Sequence, residues 1–248
     1  MTGDLHGHTA LILGANGGIG RAIAHGLGRA GAGLVLAARN ADRLDELRAD
    51  LDAAGIRNRV IPTDVTDDEA VRGLVEQARA DGMDVAVNNV GAAHRPTPLG
   101  DLGIDDIDRV LRVTLRGVAV AMKYELAALP DGGSIVTIAS TAGLAGAPGM
   151  AAYVAAKHGV IGLTRTAAVD YAGRGIRVNA VAPGSIDSGG IAAQPDDVKR
   201  QIGSFAPAGR LGRPEEGAAA VTWLASPAAA YTTGAVLTVD GGKGARGA

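Results

Sequence analysis

Short runs of apolar, β-prone residues alternate along this chain with stretches in which apolar positions recur every three or four residues. Thr9-Ala10-Leu11-Ile12-Leu13 predicts a first strand, buried on both faces because the apolar run has no polar alternation. A helix is predicted over 21–32, where Ile19, Ile23, Leu27 and Ala30 are spaced to share one face. Further strands are predicted at 33–37, 59–61, 84–87, 134–139, 176–181 and 236–239. Helices are predicted between them at 42–53, 67–80, 105–129, 153–172 and 215–224. Leu44, Leu47 and Leu51 fall on one face of the second helix, and Thr66 or Asp67 caps the third. Gly173 and Gly175 close the helix over 153–172.

This alternation specifies an α/β fold: a doubly wound, Rossmann-like parallel sheet with helices on both faces, in a single domain over 1–248. Such sheets bind ligands at the carboxyl ends of their strands. The least regular stretch, 184–213, is rich in Gly, Pro, Ser and Asp; it reads as a flap over a site or as a surface connection.

Composition narrows the function. Hydrophobic residues make up 47% and aromatics only 2%, so the core must be filled by Ala, Val, Leu and Ile. With 24 basic and 26 acidic residues the formal charge is -2, which offers no attraction for nucleic acid. Zero cysteines exclude disulfides, thiolate metal sites and thiol catalysis, a composition that suits the cytoplasm. Residues 1–9 are polar, without the basic and apolar regions of a signal peptide, and no apolar run is long enough for a membrane span. His6 and His8 alternate as metal ligands do but have no visible partners, so no metal site is expected. His25 and His158 fall within helices as structural residues, and Phe205 and Trp223 read as core or flap.

The candidate chemistry lies at the strand ends. Strand one runs into Gly14-Ala15-Asn16-Gly17-Gly18-Ile19-Gly20, which opens a helix. Glycines there let the chain turn sharply and let a pyrophosphate approach backbone N–H groups at a helix N-terminus. Gly14, Asn16, Gly18, Ile19 and Gly20 are therefore candidate dinucleotide contacts. Strand two ends in Ala37-Ala38-Arg39-Asn40, with no acid to hold the ribose 2′-hydroxyl of NAD. Arg39 has the planar charged fork that suits a 2′-phosphate, so NADP(H) is favoured over NAD(H); a solvated strand-end Arg is the other reading. Asp64, beside Val65, either accepts from the adenine amino group or serves as a turn and cap. Asn88-Asn89-Val90-Gly91 follows strand four, where Asn89 and Gly91 line the cofactor groove or hold the strand end.

Ser140 ends strand five, Tyr153 follows thirteen residues later, and Lys157 stands at i+4 from it. On a helix that spacing places phenol and ammonium on one face. A phenol titrates near ~10, so Lys157 and an oxidised nicotinamide are expected to lower Tyr153 and let it exchange protons. Tyr153 would then act as general acid or base, with Ser140 hydrogen-bonded to the substrate oxygen.

Together with Ile176-Arg177-Val178-Asn179-Ala180-Val181-Ala182-Pro183-Gly184 and Val239-Asp240-Gly241-Gly242, these motifs make the whole chain resemble the short-chain dehydrogenases/reductases of roughly 250 residues, including the 3-oxoacyl reductases. The resemblance implies that Tyr153 and Lys157 also hold cofactor, Lys157 through the nicotinamide ribose hydroxyls. It implies cofactor contacts from Pro183, Gly184, Ile186 and Ser188, and a homotetramer. Ser188 replaces the family's more frequent Thr, and Val90 its usual Ala. Thr114, in Val113-Thr114-Leu115-Arg116-Gly117, replaces an Asn that in the family helps hold a proton-relay water beside the lysine.

The leading expectation is hydride transfer between NADP(H) and a ketone or secondary alcohol, possible 3-oxoacyl substrates included. A catalytically impaired NADP(H)-binding sensor or scaffold is the alternative, raised by Thr114 alone. A carrier-linked acyl substrate would favour a basic docking surface, yet 129–134 carries Asp131 and no base. The substrate pocket is expected to include Ala142, Leu144, Met150, Ser185 and Ile191, with His94 and Arg95 within reach.

Overall fold

The structure, a computed structural model, describes residues 4–245. In chain order its elements are β1 (Thr9–Leu13), α1 (Gly18–Arg29), β2 (Gly33–Ala38), α2 (Ala41–Ala53), β3 (Asn58–Pro62), α3 (Asp68–Ala80), β4 (Met83–Asn88), α4 (Ile104–Leu111), α5 (Gly117–Ala128), β5 (Ser134–Ile138), α6 (Ala151–Tyr171), β6 (Arg177–Pro183), α7 (Gly189–Ala192), α8 (Asp196–Gly203), α9 (Pro214–Ala225) and β7 (Val236–Val239). All seven strands pair in parallel in the order β3-β2-β1-β4-β5-β6-β7. Strand order reverses between β1 and β4, so the connections leaving them diverge and open a crevice at their carboxyl ends. Leu13 is in register with both Ala37 and Asn88, which brings the turns after β1, β2 and β4 to one place.

Successive residues of the buried strands feed two cores. Ile12, Leu36, Val87 and Val136 pack under α1, α2 and α9 with Leu27, Leu47 and Val221. Leu11, Leu13, Val35 and Ile135 pack under α3, α5 and α6 with Leu74, Met122 and Val160. This two-sided burial explains why the central strands read as continuous apolar runs.

Several boundaries differ from expectation. Helix α1 begins at Gly18 rather than at residue 21, so the glycine motif itself supplies its first turn. The helix expected over 105–129 is broken by a π-helical turn, Arg112–Arg116, between α4 and α5. No proline marks that break; a side-chain contact across the fold accompanies it. Asp67, not Thr66, caps α3, accepting from the N–H groups of Glu69 and Ala70. Gly175 lies in the left-handed region at φ 67° after a 3₁₀ turn that ends α6. The irregular stretch carries α7 and α8, with Phe205 exposed beyond them. Trp223 is no core residue either: it is 39% exposed on α9, over a groove of about 810 Å³ between α1 and α9.

Candidate active site

The glycine turn is built for close approach. Gly14 adopts φ 86°, and a Cβ there would lie 2.5 Å from the Asn89 carbonyl oxygen. At Gly20 a Cβ would come within 2.2 Å of the Gly14 oxygen, so larger residues would push the turn off the helix end. Asn89 holds the turn from the neighbouring strand: its N–H donates to Leu13 O at 2.8 Å and its Nδ2 to Gly14 O at 2.8 Å. Asn16 reaches sideways, Nδ2 donating to Asn40 O at 3.3 Å, while Ile19 packs onto the core beneath.

Between these turns lies a cleft of about 660 Å³ lined by Gly14, Asn16, Arg39, Val65, Asn89 and Gly91, among others. Its described lining includes Arg39 and Arg43 and no acid. Arg43 was not singled out from the sequence; its position three residues past the α2 cap Asn40, whose Oδ1 accepts from the Arg43 N–H at 2.8 Å, was the available signal. A glycine-walled crevice with two cations in its lining has the chemistry that the phosphates of a dinucleotide require.

Asp64 makes the turn contacts expected of it. Its Oδ1 accepts from both the N–H and the hydroxyl of Thr66 at 2.8 Å. The Thr66 backbone bond, chiefly, holds this carboxyl below the usual range, with smaller help from Arg39 and Arg112. Asp64 is exposed and does not line the cleft, whereas Val65 is buried and does.

Beyond Gly91 the cleft meets the second group of residues. Lys157 is 3% exposed, and its Nζ donates to Ile138 O at 2.7 Å and lies 5.7 Å from the Tyr153 ring centroid. Burial pulls this ammonium down to about 8. Burial also raises the Tyr153 phenol, while the nearby Ser140 hydroxyl pulls it back. The lowering of Tyr153 expected from Lys157 is thus not found in the protein by itself: burial dominates, and the phenol stands above its ordinary value. Ser140 is oriented by a 3₁₀ turn, Thr141–Gly143, its Oγ accepting from the Ala142 N–H at 3.1 Å.

Thr114, fully buried, sits in the π turn and faces the loop after β4 rather than its own helix. Its Oγ1 accepts from the Ala92 N–H at 2.8 Å and donates to Ala92 O at 3.1 Å. A Cβ on Gly91 would lie 3.6 Å from Lys157 Nζ and 3.8 Å from Thr114 Oγ1, so these three residues meet.

The far wall comes from the segment after β6. Pro183 ends the strand, and the Gly184 N–H donates to Val239 O at 3.0 Å. Ile186 is 4% exposed and bridges Gly212, which turns its side chain inward. Ser188 lies over the first turn of α1: a Cβ on Gly18 would come within 2.7 Å of Ser188 Cβ. In the loop after Gly91, His94 is buried with Nδ1 against Arg95 O at 2.8 Å, and Arg95 is exposed. His6 and His8 pair with Asp4 and Asp84, each at 2.6 Å, and no metal-binding cluster occurs among the described residues. Among those residues no helix is long and apolar enough to cross a membrane. Arg174 donates to Asp131 at 2.8 Å, so the segment read as lacking a base has one beside it in space.

Comparison with known proteins agrees with this geometry. Residues 14–243 match the family described as enoyl-(acyl carrier protein) reductase. The cis-4-hydroxycyclohexanecarboxylate dehydrogenase of Sinomonas cyclohexanicum is 43% identical, over 94% of this chain and 95% of that protein. The 3-oxoacyl-(acyl-carrier-protein) reductase of Thermotoga maritima is 38% identical, over 96% and 98%. A Beutenbergia cavernae structure named for NAD(P)-dependent gluconate 5-dehydrogenase, with NADP bound at low occupancy, superposes with a TM-score of 0.92 at 40% identity, over 98% and 99%. The chain belongs to the short-chain dehydrogenase/reductase family, oxidoreductases that use a nicotinamide cofactor on alcohol and ketone substrates.

Proposed function

We propose that this chain transfers a hydride between NADP(H) and a cyclic secondary alcohol or its ketone, with Tyr153 as general acid and base. The observation that carries the reading is the junction at Gly91, where the cleft holding Arg39 and Arg43 meets Lys157 and, through it, Tyr153 and Ser140. The two arginines and the absence of an acid from the described cleft lining support NADP(H) over NAD(H). The identity to a dehydrogenase of a hydroxycyclohexane carboxylic acid supports a ring alcohol.

NADP(H), when bound, supplies or accepts the hydride. In the reducing direction Tyr153 gives its phenolic proton to the carbonyl oxygen while the Ser140 hydroxyl donates to that oxygen as charge develops. In the oxidising direction the phenolate takes the alcohol proton back. Lys157 spends one hydrogen on Ile138 O, which fixes its position and leaves two for the ribose hydroxyls. It is charged below about pH 8, and beside an oxidised nicotinamide that charge is expected to favour the phenolate. Thr114 acts here as a clamp on Ala92, so the relay water is not carried over to it. The test is a panel of cyclic and linear alcohols and ketones, followed by nicotinamide absorbance with NADP(H) and NAD(H) in parallel. Turnover of ring alcohols with NADP⁺ is the expected result; turnover only of linear substrates, or only with NAD⁺, would reject it.

A further inference from the structure

The layer between the sheet and helices α3, α5 and α6 contains one carboxylate that the proposed chemistry does not use. Glu125 of α5 and Asn88 at the end of β4 are both fully buried, and Asn88 Nδ2 donates to Glu125 Oε2 at 2.7 Å. The two remaining oxygens, Asn88 Oδ1 and Glu125 Oε1, have no partner. A buried pair with two orphaned acceptors is costly, because each gave up water without replacement.

The neighbouring hydroxyls do not supply the missing donor. Thr137 is in register with Asn88 on β5, and its Oγ1 lies 2.8 Å from Thr164 Oγ1. Thr164 gives its own hydrogen to Val160 O at 2.9 Å, and the Thr137 hydrogen has Thr164 Oγ1 and, at 3.4 Å, Asn179 O as its acceptors. Charged groups on the packed elements are engaged elsewhere. On α3, Arg72 pairs with Glu69 and Glu76, and Asp68 with Arg116 of the π turn; on α6, Lys157 is held by Ile138 O. Arg79 on α3, Lys123 and Tyr124 on α5, and His158, Arg165, Asp170 and Tyr171 on α6 make no hydrogen bond or ion pair with Glu125, and Asn88 is its one side-chain partner among the described residues. One proton on Glu125 would satisfy both orphans, turning one acceptor into an O–H donor for the other.

We propose that Glu125 is a positioning residue that works as a neutral carboxylic acid, its O–H donating to Asn88 Oδ1 while Asn88 Nδ2 donates back. This cyclic pair pins the end of β4. The next residue, Asn89, holds Gly14, so ionisation of Glu125 loosens the turn that receives the cofactor. Only this last consequence rests on the proposed cofactor reading. Burial, opposed by Asn88, raises the carboxyl to about 7. The folded protein therefore keeps a proton that the unfolded chain has lost between about 4.5 and about 7, and stability falls as pH rises through that window.

Glu125→Ala leaves a cavity and an unpartnered Asn88 and is liable not to fold, so Glu125→Gln carries the test. Gln copies the protonated acid and does not titrate. Between about pH 5.5 and about pH 8.5 wild type should lose about thirty-fold in its folding equilibrium relative to the variant, several degrees in Tm. Infrared spectra at the lower pH should show a protonated carboxyl C=O stretch that E125Q lacks. The ratio of wild-type to E125Q dissociation constants for NADPH should rise with pH. A stability gap that does not change with pH, with no carboxylic acid band, would overturn the proposal. If neither protein binds NADPH, the cofactor reading fails, while melting and infrared still decide the state of Glu125.

Discussion

The Thr114 hydroxyl grips the Ala92 peptide from both ends, accepting from its N–H at 2.8 Å and donating to its carbonyl at 3.1 Å. Through this grip the π turn fixes the loop that carries Gly91 beside Lys157. Thr114→Val keeps the shape and removes both bonds, leaving two backbone groups unpaired at a cost of up to about 1–3 kcal/mol each. We expect a lower Tm and at least ~10-fold lower kcat, or about 1.4 kcal/mol in the barrier. Thr114→Asn, which offers an acceptor and a donor, should keep the grip and lose far less. Calorimetry and steady-state kinetics on the two variants check this; equal losses in both would show that the grip does not matter.

Arg39 lines the cleft and is exposed, so solvent screens part of its attraction for a phosphate. NADPH should still bind about ten-fold more tightly than NADH, a difference of about 1.4 kcal/mol. Arg39→Asp should reverse the order, because a carboxylate repels the 2′-phosphate and accepts from a ribose hydroxyl. Fluorescence titration of both nucleotides against both proteins reads this directly. An NADH preference in wild type would remove the assignment.

Tyr153→Phe keeps the ring beside Lys157 and deletes the transferable proton. The expected result is a kcat reduced by at least ~10²-fold with NADPH affinity nearly unchanged. Near-normal turnover by the Phe variant would exclude Tyr153 as the general acid.

The depressed Lys157 makes a prediction about stability. The unfolded chain keeps its lysine protons up to about 10.5, whereas folded Lys157 releases its proton near about 8. Stability should therefore rise with pH between those values, by on the order of 3 kcal/mol at one unit per 1.36 kcal/mol. Lys157→Met lacks this titration. Its gain over wild type in denaturant midpoint should be largest at neutral pH and shrink toward pH ~10. A constant difference across the range would mean that burial does not govern Lys157.

Elements and motifs were legible because their signals are local. The apolar runs at 9–13 and 134–139 and the three- and four-residue spacing of Leu44, Leu47 and Leu51 follow from backbone geometry, which repeats whatever the partner. The glycine turn and the Tyr153–Lys157 pair were legible for the same reason, since each lies within one turn or one helix. The break at 112–116 was not, because the residue associated with it bonds to Ala92, 22 positions earlier.

The alternating α/β order, the two-faced burial of the strands and the residue types able to do the chemistry follow from the residues in their order along the chain. Folding in three dimensions was needed to bring Arg43 beside Arg39, Thr114 onto Ala92 and Glu125 against Asn88. These meetings depend on β4 lying beside β1 and on which helices cover each face, choices set by the total burial of both cores. Burial also moved Lys157, Tyr153 and Glu125 from their ordinary titration ranges, because the cost of removing a charge from water depends on everything packed around it.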